Sequence, residues 1–216
     1  MLGRLCGTII CMSQNKLSLV TGISYLVVFC CAIFANFFVL EGIINNPLAF
    51  VSENGLFVRF GVIAFLVAAV ADVVIAWSLY EMFKENILSR LSTYFRLVHA
   101  AAMGIGVFSL TLVFGFSTDT DILHQIDIFN TIWLIGLFFF GFHLLLLVKI
   151  MNLPRWMSVF LVLAGVMYIV DTSAHFLLVN YGLYASVFLA LVAIPSIIGE
   201  MSLMVWFLMR GIKKEG

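Results

Sequence analysis

Charged residues are scarce in this chain. Asp, Glu, Lys and Arg make up 10% of its 216 residues, against about 25% in an average soluble domain. Too few polar side chains are available to cover a water-facing surface, which excludes a soluble globular protein and a disordered chain. Eleven Lys and Arg residues balance eleven Asp and Glu residues. The chain therefore has no net charge and lacks the basic surface that nucleic-acid binding requires.

Cysteine motifs and nucleotide-binding motifs are also missing. The four cysteines, at positions 6, 11, 30 and 31, form neither a C-x-x-C metal motif nor a disulfide framework. We expect them to be small hydrophobic side chains. The chain contains no Walker motif, nucleophile elbow or kinase signature, which argues against ATP-driven chemistry.

Long apolar runs are what the chain has in abundance. Hydrophobic residues make up 64% of it, and the mean hydropathy is +1.19. A helix needs about 20 mostly apolar residues to cross a bilayer. Runs of this length predict helices, not barrel strands, and the fold class is therefore all-α, a six-helix membrane bundle. The six runs cover residues 17–40, 56–83, 92–117, 123–150, 156–179 and 184–211.

The connections predict how these helices are arranged. Residues 41–55 form the longest loop, and short connections make sequential helices antiparallel neighbours. We expect an N-terminal segment (1–16), a membrane domain (17–211) and a C-terminal tail (212–216), with Met12 as an alternative start. The expected partners are the lipid bilayer and a small-molecule ligand. Six helices without a repeat are few for a transporter, so transport would require a homo-oligomer.

The distribution of Lys and Arg predicts the orientation. Of these residues, only Arg59 falls on one side of an alternating topology. Cytoplasmic loops carry the excess of Lys and Arg, so we expect both termini in the cytoplasm and the protein in the cell (inner) membrane. The ten residues on the other side are Arg4, Lys16, Lys84, Arg90, Arg96, Lys149, Arg155, Arg210, Lys213 and Lys214.

One group of ionisable residues falls inside the predicted spans, on the half nearer the termini. Such residues cost about 2.5–3.5 kcal/mol each at mid-helix and usually face protein or water. Two carboxylates at this depth cannot both stay ionised unless cations or donors reach them. The group predicts either a cavity that binds or relays a small solute or protons, or a structural network that fixes helix register. By depth its members are Asp72, Arg96, His99, His143 and Glu200, and the candidate site residues are Asp72, Tyr80, Arg96, His143 and Glu200.

A second group falls near the opposite membrane surface. His124 and Asp127 share one face of the fourth helix, and Asp171 and His175 share one face of the fifth. Two histidines and two carboxylates suit zinc or another divalent metal, so the group suggests a metal-dependent membrane hydrolase with Glu41 as its base. The alternative is ordinary interface residues and no cofactor. Haem could use only His99 and His143, because His124 and His143 face different directions on one helix.

Several short segments, spread from the first helix to the sixth, form a recognisable pattern. They are Gly22–Leu26, Asp72 with Tyr80, Phe95–Val98, Phe140–Leu147, Leu153 with Pro154, Leu161–Gly165, Tyr168, Asp171, Gly199 with Glu200, and Trp206. With these segments the chain resembles an uncharacterised bacterial membrane family, domain of unknown function 4386. The resemblance implies six helices and an integral membrane location, and it implies no reaction. His99 and His175 depart from the family pattern.

Overall fold

The computed structural model describes residues 12–212, and within that range the chain is helical, without strands. This confirms the all-α prediction. Cys6, Cys11, Lys213, Lys214 and most of the predicted N-terminal segment and C-terminal tail lie outside the described residues. The α-helices are α1 (Gln14–Ile33), α2 (Glu41–Asn45), α3 (Pro47–Glu53), α4 (Gly55–Phe83), α5 (Ile87–Leu112), α6 (Asp119–Ile150), α7 (Arg155–Leu177) and α8 (Ala185–Ile212).

Six helices of the described range are long and apolar enough to cross a bilayer, as predicted. They are α1 with its extension to Asn45, then α4, α5, α6, α7 and α8. Two of them begin four or more residues before their apolar runs, and a polar side chain caps each of these two starts. The Asn86 side chain accepts from the Leu88 amide of α5 at 3.0 Å, and Thr118 accepts from the Asp121 amide of α6 at 3.2 Å. These caps satisfy backbone donors that a helix start leaves free.

The predicted loop over residues 41–55 is wrong, because this segment is mostly helical. After α1 the chain continues as a π-helix (Phe34–Leu40), then as α2 and α3. Pro47 begins α3, a position where its missing amide hydrogen costs nothing. The Asp119 carboxylate accepts from the Leu48 amide at 2.9 Å, which fastens α3 to the start of α6. The Asn and Pro residues that suggested a loop are therefore helix boundaries.

The six long helices pack in chain order and close into a ring. Each contacts the helix that follows it in the sequence, and α8 returns to α1. A Cβ added to Gly211 would lie 2.7 Å from the Leu19 backbone, and one added to Gly22 would lie 2.8 Å from Leu208. The start of α1 and the end of α8 therefore meet at one end of the bundle. We call this end the terminal side, and the end that carries α2 and α3 the loop side.

Two large apolar cores fill the ring, one at each end, and a small cluster of Ala68, Ala69 and Met103 lies beside the loop-side core. The terminal-side core includes Leu144 of α6, Leu161 of α7 and Phe207 of α8, each fully buried. The loop-side core includes Phe65 of α4 and Phe129 of α6, and within residues 12–212 it contains nothing from α7 or α8. Several buried polar residues, among them Asp72, Arg96 and His143, lie at mid-depth in the bundle.

Candidate functional site

A buried ion pair joins α4 and α5 in the middle of the bundle. The Arg96 guanidinium donates through Nη2 to Oδ1 of Asp72, and the two side chains are 1% and 2% exposed. Arg96 also donates through Nη1 to the Tyr25 hydroxyl at 2.8 Å. The guanidinium lies 4.8 Å from the Tyr25 ring centre and 5.1 Å from that of Phe140. Such stacking stabilises a cation that has lost its water.

His99 completes the surroundings of Asp72. It lies one turn after Arg96 on α5, so both side chains reach the same carboxylate. Its Nε2 is 3.2 Å from Oδ2 of Asp72. An ionised carboxylate only accepts hydrogen bonds, so Nε2 carries the hydrogen. Nδ1 faces α6, where a Cβ added to Gly136 would lie 3.1 Å from it.

His143 of α6 holds Arg96 from the other side. Its Nδ1 is 3.0 Å from the Ser92 carbonyl oxygen, and its Nε2 is 3.1 Å from Nη1 of Arg96. A carbonyl can only accept and a guanidinium can only donate. His143 is therefore a neutral imidazole that donates through Nδ1 and accepts through Nε2. With both nitrogens engaged, it positions Arg96.

Glu200 of α8 is the second carboxylate at this depth. The Tyr168 hydroxyl of α7 donates to its Oε1 at 2.9 Å. Asp72 is neutralised by Arg96, whereas no Lys, Arg or His nitrogen of the described residues lies within 4.0 Å of a Glu200 oxygen. Asp72 and Arg96 neutralise each other and His143 is neutral, so an ionised Glu200 would have no cationic partner of its own among the described residues.

A cavity of about 180 Å³ separates Glu200 from the Asp72–Arg96 pair. All six long helices line it, so it lies inside the ring. Of the residues predicted for this site, Asp72, Arg96 and Glu200 line the cavity, and His143 lies behind Arg96. Tyr80 is half-buried and has no hydrogen bond to the cluster within residues 12–212. Apolar walls come from Val28, Phe29, Ala32, Met103, Trp133, Leu137, Phe140, Ile197 and Met204.

The residues predicted for a metal site do not come together. His124 and Asp127 are exposed on α6. Asp171 is buried and accepts from the Tyr181 hydroxyl at 2.7 Å, while the His175 ring packs edge-on against Tyr181 at 4.8 Å between centres. Over residues 12–212, no group of three or more His, Cys, Asp or Glu side chains is placed to hold a metal ion.

The Tyr181 contact leads to a prediction about pH. Burial and the Asp171 carboxylate raise the pKa of the Tyr181 phenol above its ordinary value, which is about 10. A raised pKa contributes stability that is present below about pH 10 and is lost as the pH rises through the folded-state pKa. We expect Tyr181→Phe to unfold at a lower temperature at pH 7, with the difference from the parent shrinking above pH 10. A difference that stays constant from pH 7 to 11 would contradict this.

Two residues of the site, Tyr25 and Tyr168, were not predicted. Hydropathy alone does not mark them, but a buried tyrosine hydroxyl needs a hydrogen-bond partner, and that requirement was the available signal. His99 was placed in the central group by its depth but left out of the candidate site as a departure from the family pattern, although its spacing of three from Arg96 places it on the same helix face.

Comparison with known proteins gives a family without an assigned activity. The family described as "Domain of unknown function (DUF4386)" matches residues 20–211. A protein of Archaeoglobus fulgidus named "Uncharacterized protein" is 25% identical over 162 residues, which is 71% of this chain and 85% of the relative. No solved structure matches the chain.

Proposed function

The chain belongs to the family described as domain of unknown function 4386, and we propose that it binds a small cation-bearing solute, or a proton, in the cavity between its six membrane helices. Glu200 is the acceptor in this proposal. Tyr168 orients its carboxylate, and the Asp72–Arg96 pair with its histidines is the fixed wall opposite.

The observation that carries the proposal is the difference between the two carboxylates. Asp72 has a guanidinium and an imidazole as partners, whereas Glu200 has one neutral hydroxyl. An ionised group in the interior of a membrane protein is costly unless another charge compensates it. A proton or a cationic solute at Glu200 supplies that charge, and the cavity beside Glu200 gives it room.

The volume of the cavity limits the size of the solute. An apolar protein cavity of about 150 Å³ accommodates one benzene molecule. At about 180 Å³, the cavity suits a single ring, a short alkylammonium group or a few water molecules.

The charge distribution supports a location in the cell (inner) membrane with the terminal side in the cytoplasm. Lys84, Arg90, Lys149, Arg155 and Arg210 all lie towards the terminal side of their helices. On the loop side, Arg59 stacks on Phe114 at 4.3 Å. This asymmetry is the one that cytoplasmic loops show.

Labelling with a hydrophobic carbodiimide tests the proposal. The reagent modifies protonated carboxyl groups in apolar surroundings, so we expect one main adduct within the membrane, on Glu200, and none on the ion-paired Asp72. We expect Glu200→Gln to abolish this adduct and methylammonium to slow its formation. Glu81→Gln is the control, because Glu81 lies in an exposed pair with Lys84. An adduct on Asp72, or the absence of an adduct on Glu200, would contradict the proposal. Labelling of Glu200 that methylammonium does not affect would exclude the cationic solute and retain the proton.

A further inference from the structure

The cavity reaches towards the surface of the bundle between α1 and α8. On the α1 side its wall is formed by Val28, Phe29 and Ala32, which are all partly exposed. On the α8 side it includes Ile197, which is 50% exposed. Glu200 lies about one helical turn further along α8 and faces the same cavity. The bilayer is therefore the nearest medium to this edge of the cavity.

Among the described residues, the hydrogen bond, the ring contact and the close backbone approaches that join the two helices lie towards the terminal side. There Ser18 donates to the Phe207 carbonyl at 3.0 Å, and the Tyr25 ring stacks on the Phe207 ring at 6.2 Å. Gly211 and Gly22 bring the backbones together in the same region. From Tyr25 to the terminal side, these contacts close the space between α1 and α8.

Towards the loop side, a wider face of α8 is exposed. In its terminal half the exposed positions Met201, Val205 and Met209 form a stripe spanning about 80° at about 100° per residue. In its first two turns the exposed positions cover about 200°, more than half of the circumference. These positions are Ser186, Val187, Leu189, Ala190 and Leu191. The side of α8 that faces α1 is thus exposed along with the side that faces lipid.

Both helices are irregular where they border this gap. Residues 34–40 of the first span form a π-helix, a feature that is rare and frequent at functional sites. Pro195 lies inside α8, two residues before Ile197. It removes a backbone hydrogen bond and permits a bend there.

We infer that the gap between α1 and α8 is an entrance from the bilayer, and that the ligand is a membrane-dissolved amine. This inference rests on the proposed function. The amine's ammonium group pairs with Glu200 inside the cavity, and its apolar chain lies between Phe29 and Ile197. Charge selects the head group, because Glu200 is the one carboxylate of the cavity without a cationic partner. The open, apolar edge of the cavity favours an amine that carries an apolar alkyl chain.

Photolabelling tests the inference. The protein is reconstituted in nanodiscs of neutral lipid with dodecylamine that carries a diazirine on its chain. We expect the label on residues 28–32 and around Ile197, and competition by unlabelled dodecylamine but not by dodecanol, which lacks the charge. Glu200→Gln should lower the labelling by at least about tenfold, because it removes the charge that pairs with the ammonium group.

A matched pair of substitutions separates the entrance from the binding site. Ile197→Trp fills the edge of the cavity, and we expect it to lower the labelling by about tenfold. Val205→Trp adds the same side chain to the lipid-facing stripe of α8, so we expect labelling at the level of the parent. If Glu200→Gln lowers the labelling and Ile197→Trp does not, the inferred entrance between α1 and α8 is wrong. The binding site at Glu200 is retained in that case. If Glu200→Gln has no effect, Glu200 does not bind a cationic solute, and that part of the proposed function is wrong as well.

Discussion

Asp72→Asn is expected to lower the free energy of unfolding by about 3–5 kcal/mol, the cost of leaving one member of a buried ion pair without its partner. Arg96 is 1% exposed, and it could not reach water after the substitution. Its remaining partners, Tyr25 and His143, are neutral. The unfolding transition of the purified protein in detergent, followed by circular dichroism, measures the effect.

Removing both charges should reverse most of this loss. Replacing a buried ion pair by uncharged residues of similar size is often neutral or stabilising. We therefore expect the double variant Asp72→Asn with Arg96→Met to have a free energy of unfolding close to that of the parent. Glu81→Gln breaks an exposed pair at 3.1 Å and should cost less than about 1 kcal/mol. If Asp72→Asn has the same free energy of unfolding as the parent, the two charges are not paired in the folded protein.

Asp72 and Glu200 show which features of the candidate site could be predicted from the sequence and which could not. Their depth in apolar runs is enough to predict that each needs a compensating group. It does not say which carboxylate receives Arg96, because that depends on the rotation of α4, α5 and α8 about their axes. Those rotations are set by packing, such as that of Phe207 against Tyr25. In the structure, Asp72 receives the guanidinium and Glu200 a tyrosine hydroxyl.

The helices themselves were predictable to within a few residues, and the segment after α1 was not. A long apolar run in a bilayer forms a helix because its backbone polar groups must be hydrogen-bonded within the segment. Residues 41–55 carry two Asn, a Pro and an Asn-Gly pair, signals that mark turns in most sequences. Their helical state depends on tertiary contacts, among them the Asp119 carboxylate on the Leu48 amide and the burial of Ile43 and Val51. Such contacts come from a distant part of the chain.

The predicted metal ligands show the same limit at the loop side. Spacings of three and four residues correctly place His124 with Asp127 on α6 and Asp171 with His175 on α7. Whether two such pairs converge depends on how α6 and α7 are rotated against each other. In the structure Asp171 is buried and bonded to Tyr181, while His124 and Asp127 are exposed.

Gly141→Ala is expected to lower the free energy of unfolding by about 1–3 kcal/mol, the usual range for overpacking a close contact. Gly141 of α6 and Gly165 of α7 face each other where the two helices cross. A Cβ on Gly141 would lie 2.5 Å from the Gly165 carbonyl oxygen, a backbone atom that cannot rotate away. The helices would have to separate, and close packing of small residues is a main source of helix association in membranes.

Separation of α6 from α7 should also change the geometry of the candidate site. Tyr168 lies three residues after Gly165 on α7, and it holds Glu200 through its hydroxyl. We therefore expect Gly141→Ala to alter carbodiimide labelling of Glu200 as well as stability. Gly104→Ala is the matched control, because a Cβ there would have no atom within 4 Å and its backbone is not in the left-handed region. That change should leave stability unchanged or raise it by up to about 1 kcal/mol. Equal effects of the two substitutions would mean that helix propensity, and not the crossing of α6 and α7, determines the result.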